Sequence, residues 1–346
     1  MDNITHSLFA LTLANAGLRR PGRGATAALV VASNIPDIEV LTTLTGGRVG
    51  YLAAHRGASH GPFSLLLGVG VAGAVWAAQR LRGRRPADAA GFWSLVAVSL
   101  IGIAGHVALD FATSYGTRVL SPFAGTWYGV DWMPIIDGYL LLLLVAGLAA
   151  TAVVPARRAA IAAVVLVLMA GDYGFRATAH HVALEAAVAR QQAALPGAGR
   201  PAQPGTVFHY LGTAHRSALP AALPTLGSPL RWRLITRTAE GYEVSEVNLL
   251  SPGRATDVLT FPDQSGPLVA RASTAPLARV FLGFSRFPAA ETIHHRGGDV
   301  TVHWYDLRFA QKPAVPGDGH RPTSPFAVWV RVSPTGAIVG QGLGPG

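Results

Sequence analysis

Four long apolar stretches, roughly residues 61–80, 92–112, 135–154 and 159–177, constrain this chain more than any other feature. Each comes close to the ~20 helical residues that cross ~30 Å of hydrocarbon. Inside lipid a backbone must satisfy its own hydrogen bonds, so such stretches fold as helices. Composition agrees: 50% of the 346 residues are apolar and only 13% are charged, against roughly 25% charged in ordinary soluble domains. Two shorter apolar segments, 4–18 and 24–35, come first. As helices they reach only about 22 and 18 Å, which predicts a helical hairpin packed against the spans.

The net charge of +10 invites a nucleic-acid reading, but the cations are arranged otherwise. Lys312 is the sole lysine, and the arginines cluster between apolar runs: Arg19, Arg20 and Arg23; Arg80, Arg82, Arg84 and Arg85; Arg157 and Arg158. Short Arg-rich loops between spans face the cytoplasm, whereas a nucleic-acid surface is one continuous basic stripe. No nucleic-acid partner is expected. Alternating spans then put 36–60, 113–134 and everything beyond about 178 on the other side. Asp2, Asp37, Glu39, Asp110, Asp131, Asp137 and Asp172 collect at that outer face, and Asp88 alone falls among the basic loops. The pattern predicts a multi-pass protein of the cytoplasmic (inner) membrane. The chain has no cysteine, which excludes disulfides and thiolate metal sites. The start, Met1 to His6, lacks the basic region of a cleaved signal.

Beyond 178 the pattern changes. Residues 179–204 read as a helix to about 194 followed by a Pro/Gly-rich linker over 195–206. Short β-rich runs follow at 231–237, 241–249, 256–261, 278–284, 299–309 and 326–332, with Gly297-Gly298 as a turn before Asp299. The expected architecture is an α-helical membrane bundle over 1–178 and a soluble, mostly antiparallel β or α+β domain over 205–346, outside the cytoplasm. No fixed-period repeat is present.

Ionisable side chains beside a span are costly and by default mark function. Asp2 and His6 stand four apart at the first helix, and His106 and Asp110 repeat that spacing near the outer end of the second span, so each pair shares a helix face. Asp37 follows Pro36, His55 and His60 bracket Arg56-Gly57-Ala58-Ser59, and Asp137 opens the third span. Five separate segments thus bring His or Asp to one membrane face. Imidazole and carboxylate suit zinc, and also manganese or iron. One catalytic zinc uses three protein ligands and leaves a place for water. The surplus here predicts two or more ions, or carboxylates that orient the histidines. Taken singly, each residue has a plainer role. His6 could bond Asp2, Asp37 and Asp137 could cap helices, and His55 and His60 could be interfacial loop residues. Their shared side decides for metal. His180 and His181 read as interfacial, and His209, His215, His294, His295, His303 and His320 lack ligand spacing.

These same segments carry a resemblance. Met1 to His6, Ser33 to Ile38, His55 to His60, His106 to Thr117, Ser121-Pro122-Phe123 and Ile135-Ile136-Asp137 resemble the YdjM-type family, bacterial inner-membrane proteins described as metal-dependent hydrolases. Ser59 stands where the family more often has threonine. The resemblance covers about residues 1–180, and 284–288 with 304–309 resemble a β extension of some members. The family is similar in motif order to zinc-dependent phospholipase C and the P1-type nucleases, helical enzymes with a multi-zinc site of His and Asp. That likeness implies His6, Asp37, His55, His60, His106 and Asp110 as metal ligands, with Asp137 a further candidate.

The expectation is therefore a membrane-bound hydrolase whose divalent metal, zinc first, activates water. Zinc lowers the pKa of bound water to about 7. Asp137 and Arg56 are the candidate catalytic helpers. The substrate expected at such an interface is a phosphodiester or ester of a lipid or lipid-linked molecule. The alternative is a non-catalytic membrane protein with a structural metal and a partner-binding β domain.

Overall fold

The structure is a computed structural model that describes residues 1–20, 24–82, 89–197, 207–211, 219–251, 254–311 and 324–344. Arg23, Arg84, Arg85, Asp88, His215, Lys312, His320 and most of the expected linker lie outside the described residues. Two compact units divide the chain: Met1–Leu41 with Ala54–Thr178, and Thr42–Ala53 with Ala179–Gly346.

The first unit is helical. Helix α1, Asn3–Leu13, begins where the Asp2 carboxylate accepts the backbone N–H groups of Ile4 and Thr5, both at 3.0 Å. Such a cap satisfies donors that the first turn leaves unpaired. The helix runs on as a π turn through Ala14–Leu18. Helix α2, Ala25–Ala32, is followed by a 3-10 segment, Ile35–Thr42, and the next helix in the chain, α3 (Thr43–Ala54), falls almost wholly in the second unit. Then come α4 (Ser64–Leu81), α5 (Ala89–Phe111), a short strand β1 (Trp127–Gly129), α6 (Gly138–Val153) and α7 (Arg158–Ala194).

Small residues let these helices approach closely. Ala10, Ala14, Ala25, Ala28, Ala32 and Ala72 are all buried in one cluster with Leu29, Val98 and Ile103. At Gly102 on α5 the approach is backbone to backbone. A Cβ there would meet the Leu29 carbonyl oxygen at 2.9 Å and the Ala32 Cβ at 3.0 Å. Only glycine lets α2 lie this near to α5.

Among the described residues, three helices are long and apolar enough to cross a membrane: Ser64–Leu81, Gly91–Phe111 and Pro155–Ala194. A fourth is reached if Ala25–Ala32 and Ile35–Ala54, bent by 46°, form one span. Two sequence expectations need correction. The stretch 135–154 yields only the 16 residues of α6, about 24 Å of helix. Asp137 caps its start, accepting from the Leu140 N–H at 2.8 Å, and Pro155 follows its end, where a ring in place of an N–H stops the ladder. The segment 24–35, expected to be short, instead continues past a bend into further helix.

The second unit holds two four-stranded antiparallel sheets, ordered β3-β4-β5-β6 and β10-β9-β8-β7. After a short strand β2 (Phe208–Tyr210), the first sheet comprises β3 (Ala221–Pro224), β4 (Arg231–Arg237), β5 (Gly241–Asn248) and β6 (Ala255–Pro262). The second comprises β7 (Pro288–His294), β8 (Val300–Asp306), β9 (Ala327–Val332) and β10 (Ile338–Leu343). Helices α8 (Pro267–Ser273) and α9 (Pro276–Phe284) pack with the second sheet, Phe281 lying among Val302, Trp304, Val328 and Val330. The final turns of α7 lay Ala179, Ala183 and Ala187 against Trp232, Leu234 and Val247. The turn at Gly297-Gly298 joins β7 to β8 as expected, Gly298 having φ +86°. The stretch 278–284, read as β, is helix α9: its buried positions, Leu277, Ala278, Phe281 and Phe284, follow a helical period, and Pro276 starts it at a position where the missing N–H costs nothing.

Candidate metal centre

The centre is built from three parts of the first unit. Helix α5 supplies His106 and Asp110 from one face, 0% and 1% exposed. The turn leading to α4 supplies His60, and the 3-10 segment after α2 supplies Asp37. One ligand atom from each of Asp37, His60, His106 and Asp110 lies within 4.8 Å of all the others. His60 Nε2 and His106 Nε2 are 3.1 Å apart. Asp110 Oδ2 is 3.2 Å from the first and 3.5 Å from the second, and Asp37 Oδ1 is 3.6 and 3.7 Å away.

The outer nitrogen of each ring fixes what the inner one offers. His106 Nδ1 lies 2.8 Å from the Ser33 carbonyl oxygen. A carbonyl only accepts, so Nδ1 carries the proton and Nε2 turns a lone pair toward the cluster. For His60, the Ser59 hydroxyl donates to Glu39 Oε2 at 2.7 Å and lies 3.1 Å from Nδ1, while Glu39 Oε2 itself is 3.5 Å from Nδ1. Both partners accept from Nδ1–H, which leaves the His60 Nε2 lone pair facing His106. Two lone pairs and two carboxylates at this spacing repel unless a cation sits among them. Carboxylate-to-histidine-to-metal relays of this kind orient ligands in metal sites.

The titration of His60 carries the same message. Burial pulls its pKa down, but bonds to the carboxylates of Asp110, Asp37 and Glu39 outweigh that and raise it to about 10. These carboxylates favour positive charge at this point of the pocket, which a bound metal cation would supply. Arg56 and the Met1 amino group both lie against Asp110, yet the carboxylates of Asp37, Glu39 and Asp110 still outnumber these fixed cations. The remaining negative charge is one that a bound cation would balance.

His6 stands beside the four. Its ring stacks on His106 with centroids 3.9 Å apart, and its Nε2 is 3.4 Å from Asp110 Oδ1. It is fully buried, and neither ring nitrogen has a hydrogen-bond partner. Unpartnered buried nitrogens are costly, and a ligand role would satisfy Nε2. The donor set of imidazole and carboxylate fits zinc, manganese or iron.

The other expected site residues fall nearby but outside the four. His55 Nδ1 bonds Glu39 Oε1 at 2.9 Å. Burial holds its pKa below the ordinary value, and the Glu39 bond only partly offsets this. Arg56 is 3% exposed and spent on local bonds: Nη2 to Asp110 Oδ1 at 3.0 Å, Nη1 to Thr113 Oγ1 at 2.9 Å and to the Gly116 carbonyl at 3.0 Å. It steadies Asp110. Asp137 caps α6 and pairs with buried Arg176 at 2.5 Å, so its carboxylate is engaged away from the cluster. Asp2 is likewise a cap. Glu39 is the residue whose place the sequence did not reveal. It accepts from the Arg56 N–H at 2.7 Å as well as from Ser59, and bridges His55 to His60.

No curated protein and no solved structure matches the chain. A family description does, that of the YdjM inner membrane protein, over residues 1–183. That span contains every residue of the centre, and with more than half the sequence covered, this chain belongs to the YdjM inner membrane protein family.

Proposed function

We propose that the protein is a metal-dependent hydrolase of the inner membrane, acting on a phosphodiester or ester of a lipid or lipid-linked molecule. The observation that carries this reading is the meeting of His60 Nε2 and His106 Nε2 at 3.1 Å between Asp37 and Asp110. A divalent cation bound there supplies Lewis-acid polarisation of the substrate and an activated water. The chain's own residues do the rest. His60, His106 and Asp110 hold from within, while Asp37, whose side chain is 22% exposed, marks the open side by which substrate enters. Glu39 and the Ser33 carbonyl hold the imidazoles in the ligating tautomer, and Arg56 fixes Asp110. His6 is placed to serve a second ion, and zinc is the first choice of metal. In this reading 1–178 form a multi-pass bundle, the centre lies at its outer end, and the C-terminal unit is extracytoplasmic.

One observation favours a second reading. Four protein ligands close together also suit a closed structural site, which has no place for water. Metal analysis of detergent-purified protein, paired with hydrolysis of chromogenic phosphodiester and ester substrates, separates the two. We expect bound metal and turnover, both lost in His106→Ala and in Asp110→Ala. Bound metal without turnover on any substrate would favour the structural reading, and full metal occupancy in both variants would remove the site.

A further inference from the structure

The second unit carries a feature that the metal centre does not use. Register pairs Arg231 with Asn248 and Pro224 with Trp232. The β3–β4 turn and the chain leaving β5 therefore emerge at the same end of the first sheet. They lie side by side, the Leu249 N–H donating to the Leu230 carbonyl at 2.9 Å. Each presents a large apolar side chain to solvent: Leu226 is 67% exposed and Leu250 75%. Exposed Arg231 and Arg254 flank them. A single exposed leucine is unremarked on a protein surface, but paired leucines on neighbouring tips with arginines beside them have the composition of an interfacial anchor.

The direction of these tips follows from α7. The His180 ring lies 5.6 Å from Trp232, and the Gln191 side-chain oxygen accepts from the Arg237 N–H at 2.8 Å. The helix rises about 16 Å between those two residues, and the strand advances about 17 Å between its two. Helix and strand thus run alongside in the same direction. The start of β4, and with it both tips, lies at the end of this unit where the chain arrives from the apolar part of α7. That part belongs to Pro155–Ala194, one of the three helices able to cross a membrane.

We propose that the Leu226 and Leu250 tips insert into the bilayer surface, with Arg231 and Arg254 binding anionic lipid headgroups. Charge chooses this occupant over a second copy of the chain. Arginine beside apolar side chains is matched by a negatively charged leaflet, whereas a chain of net charge +10 repels its own copy. The proposal does not depend on metal or on hydrolysis.

The absence of native cysteine makes the test direct. Leu226→Cys, Leu250→Cys and, as a reference on the other sheet, Val339→Cys (56% exposed in the parent) are each labelled with an environment-sensitive fluorophore. The full chain is reconstituted in phosphatidylcholine vesicles with and without phosphatidylglycerol. We expect labels at both tips to shift to the blue and lose emission to nitroxide-bearing lipids, more so with phosphatidylglycerol, while the reference label does neither. Reversing both charges, Arg231→Glu with Arg254→Glu, should abolish the phosphatidylglycerol effect. Tip labels quenched no more than the reference would overturn the proposal. So would a lipid response unchanged by the reversals, or self-quenching that grows with protein density, which would assign the tips to a second copy.

Discussion

Glu39 shows how one side chain can govern a centre it does not enter. Its two oxygens hold His55, Ser59, the Arg56 N–H and, through Ser59, the orientation of His60. Removing one acceptor would free the His60 ring to turn its proton inward. Partners of this kind typically change metal affinity 10–100-fold. We expect Glu39→Gln to weaken binding by about that range, with folding intact, in a titration against a competing chelator. Unchanged affinity would show that Ser59 alone suffices. At this scale the sequence was informative wherever ligand types stood at helical spacing. His106 and Asp110, one turn apart in an apolar run, could hardly serve packing. Glu39 was legible only as an outer-face acid, because its partners at 55, 59 and 60 return to it through a turn that no local spacing announces. Asp137 illustrates the converse. A carboxylate ahead of an apolar helix reads equally as ligand or cap, and buried Arg176, far along the chain, decides for the cap.

Elements were legible where their period is local. Strands β4, β5 and β9 fall where the β-rich pattern placed them, and in β9 Val328, Val330 and Val332 are buried while Trp329 and Arg331 are not. Helix α9 was missed because seven apolar-rich residues fit either period, and the deciding fact is which sheet covers them. Strand β8 carries a test of its own. His303 is 4% exposed, with Nδ1 unpartnered. Burial, and then the charge of His295, hold its pKa below the ordinary value. The unfolded chain therefore accepts a proton near pH 6.5 that the folded strand refuses. Stability supported by neutral His303 is full above that pH and falls as pH drops below it. We expect the unfolding midpoint of the full chain to decline below pH 6.5, and to decline less in His303→Gln. Parallel profiles would assign the acid sensitivity elsewhere.

For the whole molecule, hydropathy gave the positions of three of the four long apolar helices, because the length and apolarity that membrane crossing needs are properties of a contiguous stretch. It could not give the bend after α2 or the shortness of α6, which depend on a cap and a proline. Nor could it show that ligands from residues 37, 60 and 106–110 come within 4.8 Å of one another. Arginine placement sets the proposed orientation, and this can be checked with the same cysteine-free background. In spheroplasts, a membrane-impermeant maleimide should label Val339→Cys at once and Arg82→Cys only after lysis. The reverse order would invert the orientation and move the centre to the cytoplasmic face. The close approach at Gly102 bears on all of this. The Ser33 carbonyl that fixes His106 follows directly after α2, and α2 can reach α5 only because position 102 bears a hydrogen. A methyl group added there, against the Leu29 carbonyl and the Ser33 N–H and one helical turn from the nearest ligand, would lever that carbonyl away and let the ring spin. The chemistry of the cluster is thus vulnerable to the smallest of side chains at a place with no chemistry.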